Sequence, residues 1–460
     1  MIAANLGPEI PALFSPDGLA SMPPSSAFAS RFPFLSVPIS RFAQAWTRVS
    51  PNAVLAARRP ELDALRVIAF GLLILYHVGM LYTANWGFHY KSAYRSETLE
   101  SLMVLVNVWR MPLLWLISGI ALHAVLTRLS PISVLSARTQ RLLIPLFIGV
   151  WLIVPPQLYA EMSQAGVIGM DYLSFYRHFL DLDDPLFANY QAGIWPHVNV
   201  NHLWYLRELW TFSVLLLVLH PLLQTGRVQA LAEQVFARGG LLRRVLLPGA
   251  LMAMLLIATQ MDREIEGLGF LLFGYLIGSR PGFWSALFAQ RKALLATALT
   301  LLATVLVLYQ LIWIDPELRK ATHWQLLGAV TLALTAWSCL LAILALSQHR
   351  FQNPGVVWRY LQDAVLPYYI LHQSALIVAA MWLSPYALGP VWEPMAVVMC
   401  TVLTCALGFE LIRRIALLRG LFGLKATSVA VASKKLPLIY RVARGMFAVG
   451  LVLFGLEIVL

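Results

Sequence analysis

The chain has 460 residues, of which 59% are hydrophobic and only 12% charged, and its formal net charge is +12. A soluble protein of this size carries about twice that charged fraction, so an ordinary globular enzyme is excluded and the length is spent on membrane spans. In such a protein the arginine excess belongs to loops on one face and does not argue for nucleic acid. Cys339, Cys400 and Cys405 all lie inside apolar runs, giving neither a disulfide framework nor a metal site.

Residues 1–57 are rich in Pro, Ser and Ala and lack a basic segment followed by an uninterrupted apolar one. They read as a mobile cytoplasmic tail, not a signal peptide. From Arg58 onward apolar runs alternate with short polar loops. They predict an all-α, polytopic transmembrane helical bundle of about ten spans: 64–83, 102–125, 141–160, 203–223, 245–261, 264–280, 293–314, 323–347, 361–383 and 391–412. The fifth and sixth are short. The domain so formed occupies 58–425. A basic linker then leads from 426 to 438–460, an eleventh span or an interfacial helix. With the N-terminus inside, the inner loops between 126 and 360 hold twelve Lys/Arg and one acid, Glu233, whereas the outer loops hold six Lys/Arg and thirteen acids. That bias supports the orientation. The long outer loop, 161–202, is aromatic and acidic and suits a half-buried lid.

Ionisable residues inside spans are functional hypotheses by default. Arg66 and His77 are eleven residues apart, three helical turns plus about 20°, so they share one face of the first span about 16 Å apart. One end of that face carries a cation at headgroup level, the other a titratable base deeper in. Arg110, Arg207, Glu208 and His372, with His202 just above, fall in the same outer-half layer as His77. Arg66, Arg138, Arg141 and Glu410 form an inner-face layer. Plainer readings stand beside these. Arg66 can be a positive-inside anchor, Arg138 and Arg141 a helix start, His372 an interior histidine. Glu208 can pair structurally near Arg207 or reach Arg110. A charge as deep as Arg110 costs at least about 2.5–3.5 kcal/mol, so it needs an acid such as Glu208 or a ligand carboxylate.

Several of these residues lie in recognisable strings. Asp63-Ala-Leu-Arg66 through Tyr76-His77 resembles the Arg-x10-His signature of the membrane acyltransferase 3 family. Arg110 through Ser118-Gly119 resembles its second-span Ser-Gly motif, and Arg138-Thr-Gln-Arg141 its Arg-x-x-Arg motif. Asn201-His202-Leu-Trp204-Tyr205-Leu, Leu366 through His372, and Phe409-Glu410 through Arg414 are similar to the family's glucan biosynthesis protein C branch, with Gln373 where that branch tends to have a second histidine. The resemblance covers about residues 60–425. It implies an O-acyltransferase of the bacterial inner membrane, moving a succinyl or acetyl group from cytoplasmic acyl-CoA to a hydroxyl of a periplasmic glucan or other envelope glycan. No permanently bound cofactor and no metal are implied; the partners are acyl-CoA, the glycan and membrane lipids.

On that reading Arg66, Arg138 and Arg141 bind the phosphates of coenzyme A. His77 takes the proton of the attacking hydroxyl, or carries the acyl group itself. Ser118 or Arg110 meets the oxyanion, Glu208 joins the catalytic layer, and His202, Trp204, His372 and Glu410 contact substrate. Acetyl transfer to another surface polysaccharide keeps the same chemistry. A transporter with a proton or substrate relay is the competing class, though no inverted repeat of broken spans is visible.

Overall fold

The computed structural model describes residues 59–190, 197–348, 350–351 and 355–424. The N-terminal tail and the segment 438–460 lie outside the described residues. Within them the chain is helical, apart from one isolated bridge between Thr83 and Ser96. In chain order the helices are α1 (Pro60–Tyr82), α2 (Glu97–Leu126), α3 (Pro131–Leu152), α4 (Pro155–Gln164), α5 (Tyr172–Leu180), α6 (Trp204–Leu223) and α7 (Leu241–Ala258). There follow α8 (Arg263–Ile277), α9 (Arg291–Leu308), α10 (Thr322–Ser347), α11 (Val356–Leu383), α12 (Gly389–Arg414) and α13 (Ala416–Leu421). Nine stretches of the described residues are long and apolar enough to cross a bilayer, α3 and α4 counting as one. The protein is a polytopic helical membrane bundle.

The expected span that falls outside these nine is the sixth, 264–280, which is α8 and has 15 residues. At 1.5 Å per residue it is about 22 Å long, short of the ~30 Å hydrocarbon core. What holds it is backbone contact. A Cβ on Gly119 of α2 would lie 1.9 Å from the Leu271 carbonyl oxygen, and one on Gly274 of α8 would lie 2.1 Å from that of Leu116. Small residues let two membrane helices approach until their backbones touch. The glycine of the Ser118-Gly119 string is therefore an α2–α8 packing contact. Most of α2 and α10 is buried, whereas α9 and α12 present most of their surface outward.

The third span breaks where Pro155 and Pro156 remove two backbone donors. Carbonyls just before the break find side-chain partners instead: Tyr176 Oη donates to Trp151 O at 2.9 Å, and Ser374 Oγ to Ile153 O. The break lets α4 leave in a new direction toward the outer loops. There the segment expected as a half-buried lid packs into the main core, with Phe175, Phe179 and Phe187 at 2% exposure or less and Phe179 edge-on to Trp151. The connection between α1 and α2 is likewise tied down. Asn85 N and Nδ2 donate to Glu100, Ser92 Oγ donates to Glu393 at 2.6 Å, and Lys91 and Gln164 exchange two hydrogen bonds.

Candidate active site

Three histidines meet where α1, α11 and the start of α6 converge. His77 Nδ1 and His372 Nε2 are 2.9 Å apart, and the His202 ring lies 5.4 Å from that of His372. His372 and His202 are buried, at 0% and 5% exposure, and His77 is half-buried. The backbone assigns their tautomers. His372 Nδ1 lies 2.7 Å from Tyr369 O, and a carbonyl only accepts, so Nδ1 carries the hydrogen. Nε2 of His372 then holds a lone pair and accepts from Nδ1–H of His77. The remaining nitrogen of His77, Nε2, is left basic. By the same argument His202 Nε2, 3.0 Å from Ile370 O, is a donor, and its Nδ1 accepts from Gln157 Nε2 at 3.0 Å. Gln157 also donates to Ser374 Oγ at 2.8 Å and accepts from Gln373 Nε2 at 3.0 Å. Gln373 is thus a fixed member of this network.

Beside the histidines lies Arg110, 4% exposed, its guanidinium 3.7 Å from the centroid of the Tyr76 ring. Its Nε and Nη1 have no hydrogen-bond partner among the described residues. Its charge acts on both His77 and His372. Glu208 does not neutralise it. That carboxylate lies 2.8 Å from Arg207 Nη2, on the side of α6 that faces Glu264. The Tyr76 ring compensates a buried cation only in part, so two buried donor nitrogens are left without an acceptor among the described residues.

Toward the other end of α1, Arg66, Arg138 and Arg141 are close enough to act on one another electrostatically. Arg66 is paired with Asp63 at 3.2 Å, Arg138 donates to Ser213 Oγ at 3.1 Å, and Arg141 is exposed. Between this rim and the histidines three rings close on one another. Phe70 and Tyr369 are 5.6 Å apart, Tyr205 and Tyr369 5.9 Å, and Phe70 and Tyr205 6.3 Å between centroids. Ser118 Oγ lies 3.2 Å from Tyr205 Oη, so it sits by this ring cluster. Trp204 lies on its flank, tilted against Trp115 and edge-on to Tyr205. A cavity of about 600 Å³ opens elsewhere, between Val78, Tyr82, Arg95 and Pro390, and touches none of the histidines or Arg110.

The site thus combines a hydrogen-bonded imidazole pair, a buried guanidinium with two unused nitrogens and, three turns along α1, Arg66 beside Arg138 and Arg141 of α3. The chain also matches the model of a family described as an acyltransferase domain, over residues 59–410. It belongs to the acyltransferase 3 family. No curated protein and no solved structure shows significant similarity to it.

As a membrane acyltransferase, the chain can be compared residue by residue with what its sequence predicted. His77, His372, His202 and Arg110 come together, and Arg66, Arg138 and Arg141 form the rim. Glu208 is apart, on Arg207. Glu410 is held at the end of α12 by Tyr360 Oη at 2.8 Å, Arg413 at 2.8 Å and Arg414 at 3.0 Å. Sequence reasoning passed over Phe70, Tyr205, Tyr369 and Gln157. Tyr205 and Tyr369 lie within the family-like strings, but their role as ring partners depends on α6 and α11 meeting. The polar stripe of α4, Gln157, Glu161 and Gln164, has i, i+4, i+7 spacing and was legible as one helix face.

Proposed function

We propose that this acyltransferase moves a succinyl group from cytoplasmic succinyl-CoA to a hydroxyl of a periplasmic glucan, in the bacterial inner membrane with its N-terminus inside. The observation that carries the reading is the His77–His372 hydrogen bond beside Arg110, whose Nε and Nη1 lack acceptors among the described residues. It leaves a basic nitrogen beside a buried cation, three turns along α1 from Arg66.

The steps follow from these positions. Arg66, Arg138 and Arg141 hold the coenzyme A phosphates, and the thioester reaches past the Phe70–Tyr205–Tyr369 rings to His77. The acceptor oxygen attacks the thioester carbonyl while His77 Nε2 takes its proton. The imidazolium so formed donates more strongly from Nδ1 to His372, whose own Nδ1–H stays on Tyr369 O. Arg110 meets the oxyanion of the tetrahedral intermediate and provides a cation for the carboxylate of a succinyl group. When the carbon–sulfur bond breaks, His77 returns the proton to the thiolate, so the ester and free CoA leave with no net proton uptake.

The test is transfer by the purified protein in lipid nanodiscs, with succinyl-CoA and a neutral β-glucan oligosaccharide, read by mass spectrometry. Wild-type protein is expected to add succinyl units, and His77→Ala to reduce turnover by about 10²–10⁴-fold with its melting temperature unchanged. Turnover of His77→Ala within threefold of wild type removes the base. Acetyl-CoA serving in place of succinyl-CoA with equal efficiency replaces the donor.

A further inference from the structure

α4 carries a graded polar face outward from the histidine centre. Gln157, Glu161 and Gln164 lie within about 60° of one another around the helix. Gln157 is 0% exposed, Glu161 half-buried and Gln164 exposed. Each meets a different part of the site: Gln157 contacts His202, Glu161 Oε2 lies 2.7 Å from His89 Nδ1, and Gln164 clamps Lys91. The loop carrying His89 lies over the catalytic base, with the Phe88 ring stacked on that of His77 at 6.2 Å and 13°. His89 and Phe88 are adjacent rings, 5.5 Å apart. The pair is therefore the next polar group outward from the base, and the function proposed above leaves it unassigned.

Its chemistry selects a ligand. The Glu161 carboxylate accepts and the His89 imidazole donates or accepts, while the amides of Gln157 and Gln164 are committed to His202 and Ser374 and to the Lys91 backbone. Phe88 and Trp86 supply flat apolar faces. The nearby cation is committed: Lys91 Nζ donates to Met80 O at 2.8 Å and Thr83 Oγ1 at 2.7 Å, and burial pulls its ammonium down to about 8. A carboxylate, an imidazole and aromatic faces, with the adjacent ammonium committed, suit a neutral polyhydroxylic chain better than an anion.

We propose that Glu161 and His89, walled by Phe88, form the acceptor subsite, which binds a neighbouring sugar unit of a neutral glycan and so delivers one hydroxyl to His77. The inference rests on the transferase reading above. Glu161 is a positioning residue: it touches the acceptor away from the reacting atoms.

The experiment compares two acceptors in nanodiscs, a β-glucan oligosaccharide and glycerol, which offers a hydroxyl without a second sugar. For Glu161→Gln the KM for the oligosaccharide is expected to rise at least tenfold. Its kcat/KM for glycerol and its KM for succinyl-CoA should stay within twofold of wild type. Phe88→Leu should also raise the oligosaccharide KM, more weakly, and His89→Asn, which keeps a donor near Nδ1, should retain most of the oligosaccharide affinity. An unchanged oligosaccharide KM in Glu161→Gln, or equal losses with both acceptors, overturns the subsite while leaving the transferase intact. Wild-type protein that acylates neither acceptor overturns the function itself, so the two failures differ.

Discussion

Arg244 and Arg110 are both buried, at 1% and 4% exposure, yet their surroundings differ at every nitrogen. Arg244, in the first turn of α7, donates from Nε to Phe236 O at 2.7 Å, from Nη2 to Gly239 O at 2.6 Å and to Ala237 O at 3.2 Å, and from Nη1 to Gln290. It caps the carbonyls left open where the preceding helical segment ends. Arg110 sits over an aromatic ring with two nitrogens unused. A cation surrounded by acceptors completes a fold; one left short of them keeps a place for a ligand. Burial alone does not separate the two, and partner accounting does.

Substitution should pull the pair apart. Arg110→Met removes an uncompensated buried charge, so the melting temperature in detergent should hold or rise. Turnover should nevertheless fall by about 10²–10³-fold, the usual loss of an oxyanion donor. A variant that unfolds but retains turnover when rescued by lipid would reverse the assignment. Arg244→Met should do the opposite, leaving several carbonyls unpaired where each bond to a charged group contributes about 1.5–3 kcal/mol. Its folded yield and melting temperature should drop, with normal KM and kcat in whatever fraction folds.

Smaller effects sharpen the contrast at the rim. Arg138→Gln should raise the KM for succinyl-CoA about tenfold, or ~1.4 kcal/mol, with kcat nearly constant, because the contact is made equally in ground and transition states. An unchanged KM would take Arg138 out of the phosphate site. Glu208→Gln should change turnover by less than about threefold, since its partner is Arg207 and not Arg110; a loss near that of Arg110→Met would show the two act together.

Much of this was legible in residue order. Apolar run lengths placed most spans to within a few residues, because a bilayer imposes one length on every crossing helix; the third was cut short because its helix begins at Pro131, in the polar stretch before Arg141. The 11-residue spacing of Arg66 and His77 put both on one face because helical pitch is fixed. Partnership was less legible. His372 could be an interior histidine or a member of the His77 layer, which only α11 lying against α1 decides, and Glu208 could be given to Arg110 because depth along a span is readable whereas azimuth between spans is not. His89 and Glu161, 72 residues apart, meet only because the α1–α2 loop folds back and paired prolines redirect α4. The resemblance of motifs carried the chemistry further than spacing did.

The cluster of Phe70, Tyr205 and Tyr369 has a bearing on the cell as well as on the reaction. On the proposed function, a catalyst drawing one substrate from the cytosol and another from outside would risk short-circuiting the proton gradient. Rings in mutual contact exclude a file of water between them, so on that reading the resting protein would join two compartments chemically while keeping them insulated electrically.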